Sequence, residues 1–555
     1  MRISTNSLFI KILLLLATST GFSQIQVQEE GFQVLYQQRQ LQLQFDALNA
    51  TPKNILITDA QTDAVLSLET GSDSKSYLLT HLHPSQIVKV RYDTFENGET
   101  VSNTRFLATP STSSGDISIF FNHNVDTSYS QGVDAVNLSN TLEDKLINYI
   151  DACQNTLDIA IYNSASPSAS SGIAGAINAA HARGVQVRIV YDGSTGSNMI
   201  PLLNPAIPRL ASPDSSSYGI MHNKFVIFDA DNADANIPLV WTGSTNWTAA
   251  QIDGPDRNNA IVVQDQALAQ IYKIEFEEMW GSTTQTPDAL LSKFGPYKTN
   301  NTPHNLIIGG KAVEIYFSPT DGTNSKIIAA INSANSDINI ATMLITRTDI
   351  RNAIINKYNS GVTNVNLVAD NQNPASNQFS TLEAALPAGH VVKFTAAGIM
   401  HHKFMVVDNF NLSSDPLVTV GSHNWSTSAE IRNDENTLIV HDASVANQYY
   451  QAFAYLYQLA GGVILPLSVN TNAAPLGVVL YPNPSDGIYT LENKSGNLME
   501  NATVWVFDIV GKKVYDNTYA NLNSTLIDLT NQTDGMYFVK ITSGDTQMHF
   551  KIIKN

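Results

Sequence analysis

The 555-residue sequence has little cysteine and little charge. Its one cysteine, Cys153, excludes an internal disulfide, so packed hydrophobic cores must supply the stability. Cys153 falls in step with Leu146 and Ile150 at helical spacing, which predicts a buried structural thiol. Hydrophobic residues make up 43% of the chain and charged residues 14%, which excludes a disordered protein. The length is typical of three to four domains.

Basic residues are also scarce. The chain has 31 lysines and arginines against 49 aspartates and glutamates, and its formal net charge is -18. The summed field of such a surface repels a polyanion unless a local basic pocket overrides it. The charge therefore counts against nucleic acid as the main substrate.

Long apolar stretches are missing from the sequence. Near the start, Arg2 and Lys11 flank a short apolar run, and small residues follow it up to Ser23. This pattern predicts a signal peptide at residues 1–23. The run is shorter than the roughly 20 residues that span a bilayer, and no later stretch approaches that length. We therefore expect a soluble protein secreted to the extracellular space or outer cell surface.

Residues 24–112 alternate between apolar and polar side chains, as in Phe32, Val34 and Tyr36. This period of two predicts strands, and the region fits an N-terminal β-sandwich. Nothing in it has the pattern of a catalytic site, so a packing or spacer role is favoured over lipid or glycan binding. The boundary falls in a stretch rich in Ser, Thr, Pro and Gly.

An internal repeat follows, with halves at residues 113–300 and 301–467. Each half opens with a strand, Ile117–Phe121 or Val313–Phe317, followed by an amphipathic helix and a second strand. A further helix then leads to a third strand, and a helix-ending Gly precedes that strand in both halves. The order predicts two similar α/β sandwich halves that pack as a pseudo-dimer within one chain, and we expect a monomer.

One motif recurs at the same place in both halves. Its residues are His222, Lys224, Asp229, Ser244 and Asn246 in the first half, and His401, Lys403, Asp408, Ser422 and Asn424 in the second. His-x-Lys on a strand places both side chains on one face, and the Gly-Ser-x-Asn turn adds an amide and backbone N–H groups. Such a set can hold an anionic phosphoryl group. The alternative is two core histidines of a duplicated domain, or a vestigial site, but neither copy has lost His, Lys or Asn.

At these residues the chain resembles the phospholipase D superfamily, whose duplicated motif has this form. The resemblance implies that one imidazole attacks phosphorus to form a phosphohistidine, while the other protonates the leaving oxygen and later activates water. It points to His222 as the nucleophile and His401 as the acid/base. The lysines and asparagines would hold the phosphoryl oxygens. No metal or other cofactor is then needed.

The resemblance also implies an acidic residue shortly after the Asn, to bind the other ring nitrogen of the nucleophile. Glu435 fits in the second half, but Asn258 stands at that place in the first. Asp253 or Asp256 are the alternatives there, and the order of nucleophile and acid stays open. Asp229 and Asp408 follow their strands into the fold, so we predict that they are structural.

The last region, residues 478–555, follows a linker at 468–477. Its segments Tyr481–Gly487, Val506–Val514 and Asp534–Ile541 resemble the C-terminal β-sandwich sorting domain of the type IX secretion system. The resemblance implies that the type IX secretion machinery is a partner of this region, which is often removed after export.

The motifs do not distinguish between the substrate classes of proteins that share them. An acidic, secreted chain with an accessory β domain favours phospholipid at a membrane or micelle surface, with a phosphatidylcholine-like lipid cleaved to phosphatidate and alcohol. A metal-independent nuclease and a surface-binding protein with a vestigial site are the alternatives.

Overall fold

The computed structural model describes most of the chain in fourteen ranges. They are residues 14–15, 24–29, 32–37, 39–45, 53–69, 76–96, 99–165, 167–214, 218–371 and 377–464, with four more in the C-terminal region at 478–494, 499–508, 512–543 and 546–555. The predicted signal peptide, apart from residues 14–15, and the predicted linker lie outside them. Within these ranges no helix is both long and apolar enough to cross a membrane. The chain divides into two compact units, residues 1–463 and 464–555.

The first unit begins with two β-sheets that share one core. Their strands are β1 (Leu14–Leu15), β2 (Gln24–Glu29), β3 (Phe32–Gln37), β4 (Gln40–Gln44), β5 (Lys53–Asp59), β6 (Val65–Glu69), β7 (Ser76–Leu79), β8 (Ile87–Glu96) and β9 (Glu99–Ala108). The sheet orders are β1-β2-β3-β4-β7 and β6-β5-β8-β9. Alternate residues such as Phe32, Val34 and Leu43 fill the core between the sheets. This arrangement confirms the predicted N-terminal β-sandwich.

The first repeat half is an eight-stranded mixed sheet with helices. Its elements are β10 (Ile117–Phe121), β11 (Val136–Asn137), α1 (Leu142–Ala152), β12 (Thr156–Ile161), α2 (Pro167–Ala182), β13 (Gln186–Tyr191), β14 (Arg209–Ala211), β15 (Lys224–Phe228), β16 (Leu239–Gly243), β17 (Asn259–Val263) and α3 (Gln266–Trp280), with 3₁₀ turns at Thr127–Tyr129, Ile200–Leu202 and Gly295–Tyr297. The strand order is β11-β10-β17-β16-β15-β12-β13-β14.

The second half repeats this plan. Its elements are β18 (Asn305–Ile308), β19 (Lys311–Ser318), α4 (Thr323–Ser333), β20 (Asp337–Thr342), α5 (Thr348–Asn359), β21 (Asn364–Asp370), α6 (Phe379–Ala385), β22 (Val391–Phe394), β23 (Lys403–Val407), β24 (Leu417–Gly421), α7 (Thr427–Ile431), β25 (Glu435–His441) and α8 (Ala443–Leu459). The strand order is β18-β19-β25-β24-β23-β20-β21-β22, the same arrangement as in the first half apart from the edge strand.

In each half, one face of the sheet packs against helices of the same half. The other face lies toward the second copy of the repeat. Side chains of α1 and α2 share a core with the first sheet, and α4, α5 and α6 contribute to the matching core of the second. The long helices α3 and α8 lie at the interface. The ring of Tyr272 on α3 contacts Phe317 of the other half at 5.2 Å, and Tyr449 on α8 contacts Phe121 at 5.3 Å. The predicted α/β pseudo-dimer is confirmed.

The second unit is a pair of β-sheets around its own core. Its strands are β26 (Val478–Tyr481), β27 (Ile488–Asn493), β28 (Met499–Asp508), β29 (Lys513–Leu522), β30 (Ser524–Asp528), β31 (Gly535–Ser543) and β32 (Thr546–Lys554). The sheet orders are β26-β27-β30 and β29-β28-β31-β32. Residues such as Val504, Val539 and Ile541 are fully buried between them. The predicted C-terminal β-sandwich is therefore present.

Asp229 and Asp408 end the strands β15 and β23 as buried turn anchors. Asp229 accepts hydrogen bonds from the backbone N–H groups of Gln154 and Thr156, at 2.9 and 3.0 Å. Asp408 in the same way accepts from Ser336 at 2.7 Å. Both residues have positive φ angles, 54° and 55°, which a short polar side chain tolerates. Both lie at the ends of their strands opposite to Lys224 and Lys403.

We expect Asp229→Asn and Asp408→Asn each to lower the free energy of unfolding by about 1–3 kcal/mol, because an amide replaces an acceptor of several charged hydrogen bonds. Activity per folded molecule should change little. Thermal melts and specific activity on the same preparations measure both quantities, and Asp214→Asn, at an exposed carboxylate, is the control. Lost activity at unchanged stability would show that these carboxylates act in the chemistry.

Candidate functional site

The two histidines of the repeated motif lie just outside their sheets. Sheet pairing begins at Lys224, opposite Ile161, and at Lys403, opposite Thr342. His222 and His401 come two residues earlier, so the motif lies only partly on a strand, in contrast to the prediction. Each histidine is 5% exposed. They leave the sheet because the chain before them turns to pair with the other half.

Backbone hydrogen bonds join each histidine to the opposite half. The His222 N–H donates to the carbonyl of Asp434 at 2.9 Å, and the Asp434 N–H donates to Ile220 at 3.0 Å. In the twin arrangement, the His401 N–H donates to Arg257 at 3.0 Å. The position of each histidine therefore depends on a segment of the other half.

The ring partners of the histidines are also exchanged between halves. Nδ1 of His222 is 2.7 Å from a carboxylate oxygen of Glu435, and Nδ1 of His401 is 2.9 Å from the amide oxygen of Asn258. The sequence placed Glu435 with the second half, but the structure gives it to the first-half histidine. A donating Nδ1–H leaves the lone pair of each ring on Nε2.

Asp253 and Asp256 were the alternatives considered as ring partner in the first half. Their carboxylates bind backbone N–H groups elsewhere, so neither is that partner. The carboxylate of Asp253 accepts from the backbone N–H of Leu142 at 2.9 Å, at the start of α1. Asp256 accepts from the N–H of Ile399 at 2.8 Å. Neither contacts His222, because the ring of His222 faces the opposite half.

The two serines of the Gly-Ser-x-Asn turns fix the segments that carry these ring partners. The Ser244 hydroxyl donates to the amide oxygen of Asn258 at 2.9 Å and accepts from the N–H of Asn259 at 3.1 Å. Ser422 accepts from the N–H of Asn436, also at 3.1 Å. Both serines are fully buried, so they support the partners of the histidines.

The lysines place buried positive charge beside the histidines. Nζ of Lys224 donates to the carbonyl of His222 at 2.7 Å, and Nζ of Lys403 donates to that of His401 at 2.6 Å. Burial lowers the pKa of Lys224 to about 7 and that of Lys403 well below its usual value. Burial and the lysine charges also hold the pKa of His222 and of His401 well below 6.5. Both imidazoles are therefore neutral near pH 7.

The asparagines of the turns keep unused hydrogen-bonding capacity. The side-chain N–H of Asn246 donates to Gln251 at 2.7 Å. Among the described residues, the amide oxygens of Asn246 and Asn424 are buried without a hydrogen-bond partner. Because an unpaired buried acceptor is costly, these two oxygens are suited to a hydrogen-bond donor that enters the site, whereas a phosphoryl oxygen would be bound by the side-chain N–H groups.

Tyr162 is a site residue that the sequence analysis missed. Its ring centre lies 4.7 Å from that of His222 and 5.0 Å from Nζ of Lys224, so it contacts both motif residues of the first half. Met343 holds the corresponding position in the second half. The backbone N–H of each residue donates to the carbonyl of the residue between His and Lys in its own motif. The only sequence signal was its place directly after β12.

A second missed feature is a chain of buried polar groups at the interface. The Asn259 amide lies 2.8 Å from Nδ1 of His402, and Nε2 of His402 lies 2.7 Å from Nε2 of His123. Nδ1 of His123 is 2.7 Å from the carbonyl of Asn124. Burial lowers the pKa of both histidines, and one neutral tautomer of each satisfies the whole chain of hydrogen bonds.

Comparison with known families matches both parts of the chain. A family described as "Cardiolipin synthase, PLD-like domain" matches residues 146–280 and 327–457. A "Secretion system C-terminal sorting domain" matches residues 479–555. The duplicated region and the C-terminal region thus have separate relatives.

Individual relatives cover only part of the chain. It is 31% identical over 151 residues to the mitochondrial cardiolipin hydrolase of Xenopus tropicalis, which is 26% of this chain and 63% of that protein. It is 30% identical to a phospholipase D of Rickettsia prowazekii, over 25% of this chain and 64% of the relative. The matches therefore span less than two thirds of these relatives. The solved Nuc protein of Salmonella typhimurium covers 27% of this chain and 95% of its own, at 23% identity and a TM-score of 0.24.

The exchanged ring partners can be tested by NMR of ¹⁵N-histidine-labelled protein. Glu435→Ala should shift or remove the Nδ1–H signal of His222 and leave that of His401 in place, because only the His222 ring donates to Glu435. Asn258→Ala should have the opposite effect. His222→Gln and His401→Gln assign the two signals. A change at His401 in Glu435→Ala would mean that the partners lie within one half.

Proposed function

Because this chain belongs to the phospholipase D superfamily and ends in a type IX sorting domain, we propose that it is a secreted phospholipase D-type phosphodiesterase. Its reaction is hydrolysis of the head-group phosphodiester bond of a phosphatidylcholine-like lipid, giving phosphatidate and an alcohol. The observation that carries the proposal is the pair of exchanged contacts, His222 with Glu435 and His401 with Asn258.

These contacts support different roles for the two histidines. A nucleophilic imidazole becomes positively charged as it bonds to phosphorus, and the carboxylate of Glu435 stabilises that charge on His222. Asn258 is neutral, so it orients His401 without fixing its proton. His401 can therefore gain and lose a proton during the reaction, as a general acid and base must. These contacts support His222 as the nucleophile.

In the first step, Nε2 of His222 forms a bond to phosphorus while the bond to the leaving oxygen breaks. His401, protonated at Nε2, gives its proton to that oxygen, and the alcohol leaves. The anionic substrate opposes the lysine charges that lower the pKa of His401, so its binding favours the protonated form. The product of this step is a phosphohistidine on His222.

In the second step, water replaces the alcohol. Neutral His401 takes a proton from the water as its oxygen attacks phosphorus, and the phosphorus–nitrogen bond breaks. The lone pair returns to Nε2 of His222, phosphatidate is released, and His401 is again protonated. Lys224 and Lys403, with the side-chain N–H groups of Asn246 and Asn424, stabilise the charge that builds on the phosphoryl oxygens in both steps.

Phospholipid is supported as the substrate by charge and by relatives. The net charge of -18 opposes the approach of a polyanion, whereas a zwitterionic membrane surface is not repelled. The curated relatives include proteins named for cardiolipin hydrolysis and phospholipase D activity. The sorting domain for secretion supports a substrate outside the cell.

The purified protein should hydrolyse phosphatidylcholine in the presence of EDTA, since side chains supply the nucleophile, the acid and the positive charge. Phosphatidate release from vesicles and nicking of plasmid DNA, measured side by side, compare the two substrate classes. His401→Ala is the control for contaminating activity. Faster cleavage of DNA than of lipid would favour the nuclease, and activity that needs an added divalent ion would refute the mechanism.

Substrate phosphorus should be trapped on His222 when the enzyme is acid-quenched during turnover. His222→Ala and His401→Ala should each reduce kcat by at least about 10²–10⁴-fold. The double variant should be no slower than the singles, because the two groups act as one unit. Mass spectrometry of the quenched peptide identifies the labelled residue. Label on His401 would reverse the two roles.

A further inference from the structure

The segment after α3 exposes several apolar side chains in succession. Leu290 is 94% exposed and Leu291 is 65% exposed, and Tyr297, shortly after them, is 58% exposed. Pro296 is exposed as well. We call these four residues the apolar tip. Exposing two consecutive leucines to water is unfavourable in free energy. Exposed apolar surfaces in folded proteins commonly mark contact with a partner or a membrane.

The apolar tip is rigidly held. Gly281 ends α3 with a positive φ of 78°, and a side chain there would collide with the carbonyl of Asp288. Asp288 in turn binds the tip: its carbonyl accepts from the N–H of Leu291 at 3.1 Å, and its carboxylate accepts from Leu290 at 2.9 Å. The leucines are therefore presented in a fixed turn, so little backbone entropy would be lost on binding.

The same segment is joined to the catalytic site. The N–H of Gly295 donates to the carboxylate of Asp434 at 2.8 Å, and Lys298 makes a buried ion pair with the same carboxylate at 3.4 Å. Asp434 precedes Glu435, and its carbonyl holds the N–H of His222. On the other side, the ring of Tyr297 contacts Tyr218, four residues before His222, at 5.0 Å.

We propose that the apolar tip inserts into a phospholipid surface and holds the enzyme there during turnover, an inference that rests on the proposed function. Leucines would enter the acyl boundary, while Tyr297 suits the head-group level because its ring is apolar and its hydroxyl polar.

A membrane is favoured over other occupants by the route from tip to site. Tyr297 of the tip contacts the segment that leads to His222, and its neighbours Gly295 and Lys298 contact Asp434, so insertion would bring both segments toward the lipid surface. The histidines are only 5% exposed, so a head group must enter from close by. A protein partner seated on the tip would instead cover the surface next to the segments that lead to the nucleophile.

The test compares the double variant Leu290→Ser/Leu291→Ser with wild type on two lipids that share one head group but differ in physical state. One is long-chain phosphatidylcholine in vesicles, and the other is dibutyryl phosphatidylcholine, which stays monomeric. We expect the ratio of vesicle rate to monomer rate to fall about 10-fold or more at limiting lipid. Leu412→Ser is the matched control, because Leu412 is 68% exposed and follows β23 at the end away from His401.

Binding without turnover is measured by co-sedimentation of His222→Ala with phosphatidylcholine vesicles, with and without the two serine substitutions. Weaker binding in the triple variant supports the proposal. An unchanged rate ratio and unchanged binding would overturn it, as would a wild-type dimer that the substitutions convert to monomer. A wild type inactive on both lipids would refute the proposed function, and co-sedimentation would still decide the role of the tip.

Discussion

Each histidine of the repeated motif depends on the other half of the duplicated region for its position. The backbone of His222 is held by Asp434 and its ring by Glu435, and both residues come from the second half. His401 has the same dependence on Arg257 and Asn258. This exchange explains why the interface is polar: once the histidine segments leave their sheets, every buried donor and acceptor around them needs a partner. The amides, hydroxyls and imidazoles between the halves provide many of those partners, while the amide oxygens of Asn246 and Asn424 have none among the described residues.

The two halves share a fold but differ in charge at the site. With both lysines protonated, Glu435 ionised and both imidazoles neutral, the free site carries one net positive charge, although burial brings the pKa of Lys224 and of Glu435 each to about 7. A phosphodiester carries one negative charge, so its binding favours the protonated forms of the lysines and of His401. A second carboxylate in place of Asn258 would cancel the positive charge of the free site and add a buried negative charge, which costs several kcal/mol in a dry interior. The departure at Asn258 is therefore consistent with an active enzyme.

Sequence reasoning found the motif residues, the repeat and the alternation of strands and helices because these are encoded locally, in periodicity and in spacing within one half. It also assigned Asp229 and Asp408 to the scaffold, since apolar residues carry the strand inward before them. It failed on the partner of His222 because spacing within a half says nothing about which half a side chain faces. Tyr162 was missed for a related reason: only the packed structure shows that its ring covers both His222 and Lys224.

Burial of the charged groups at the site lowers the stability of the folded chain. Lys224 and Lys403 lie in low dielectric, each lowers the pKa of nearby histidines, and Lys224 lowers that of Lys403 as well. The folded chain offsets this cost with cores that have no disulfide to support them. An anionic phosphoryl group between the lysines relieves the repulsion, and the same low dielectric then strengthens its attraction to both charges. In the proposed reaction this attraction would be largest where the negative charge of the phosphoryl group is greatest, in the transition state.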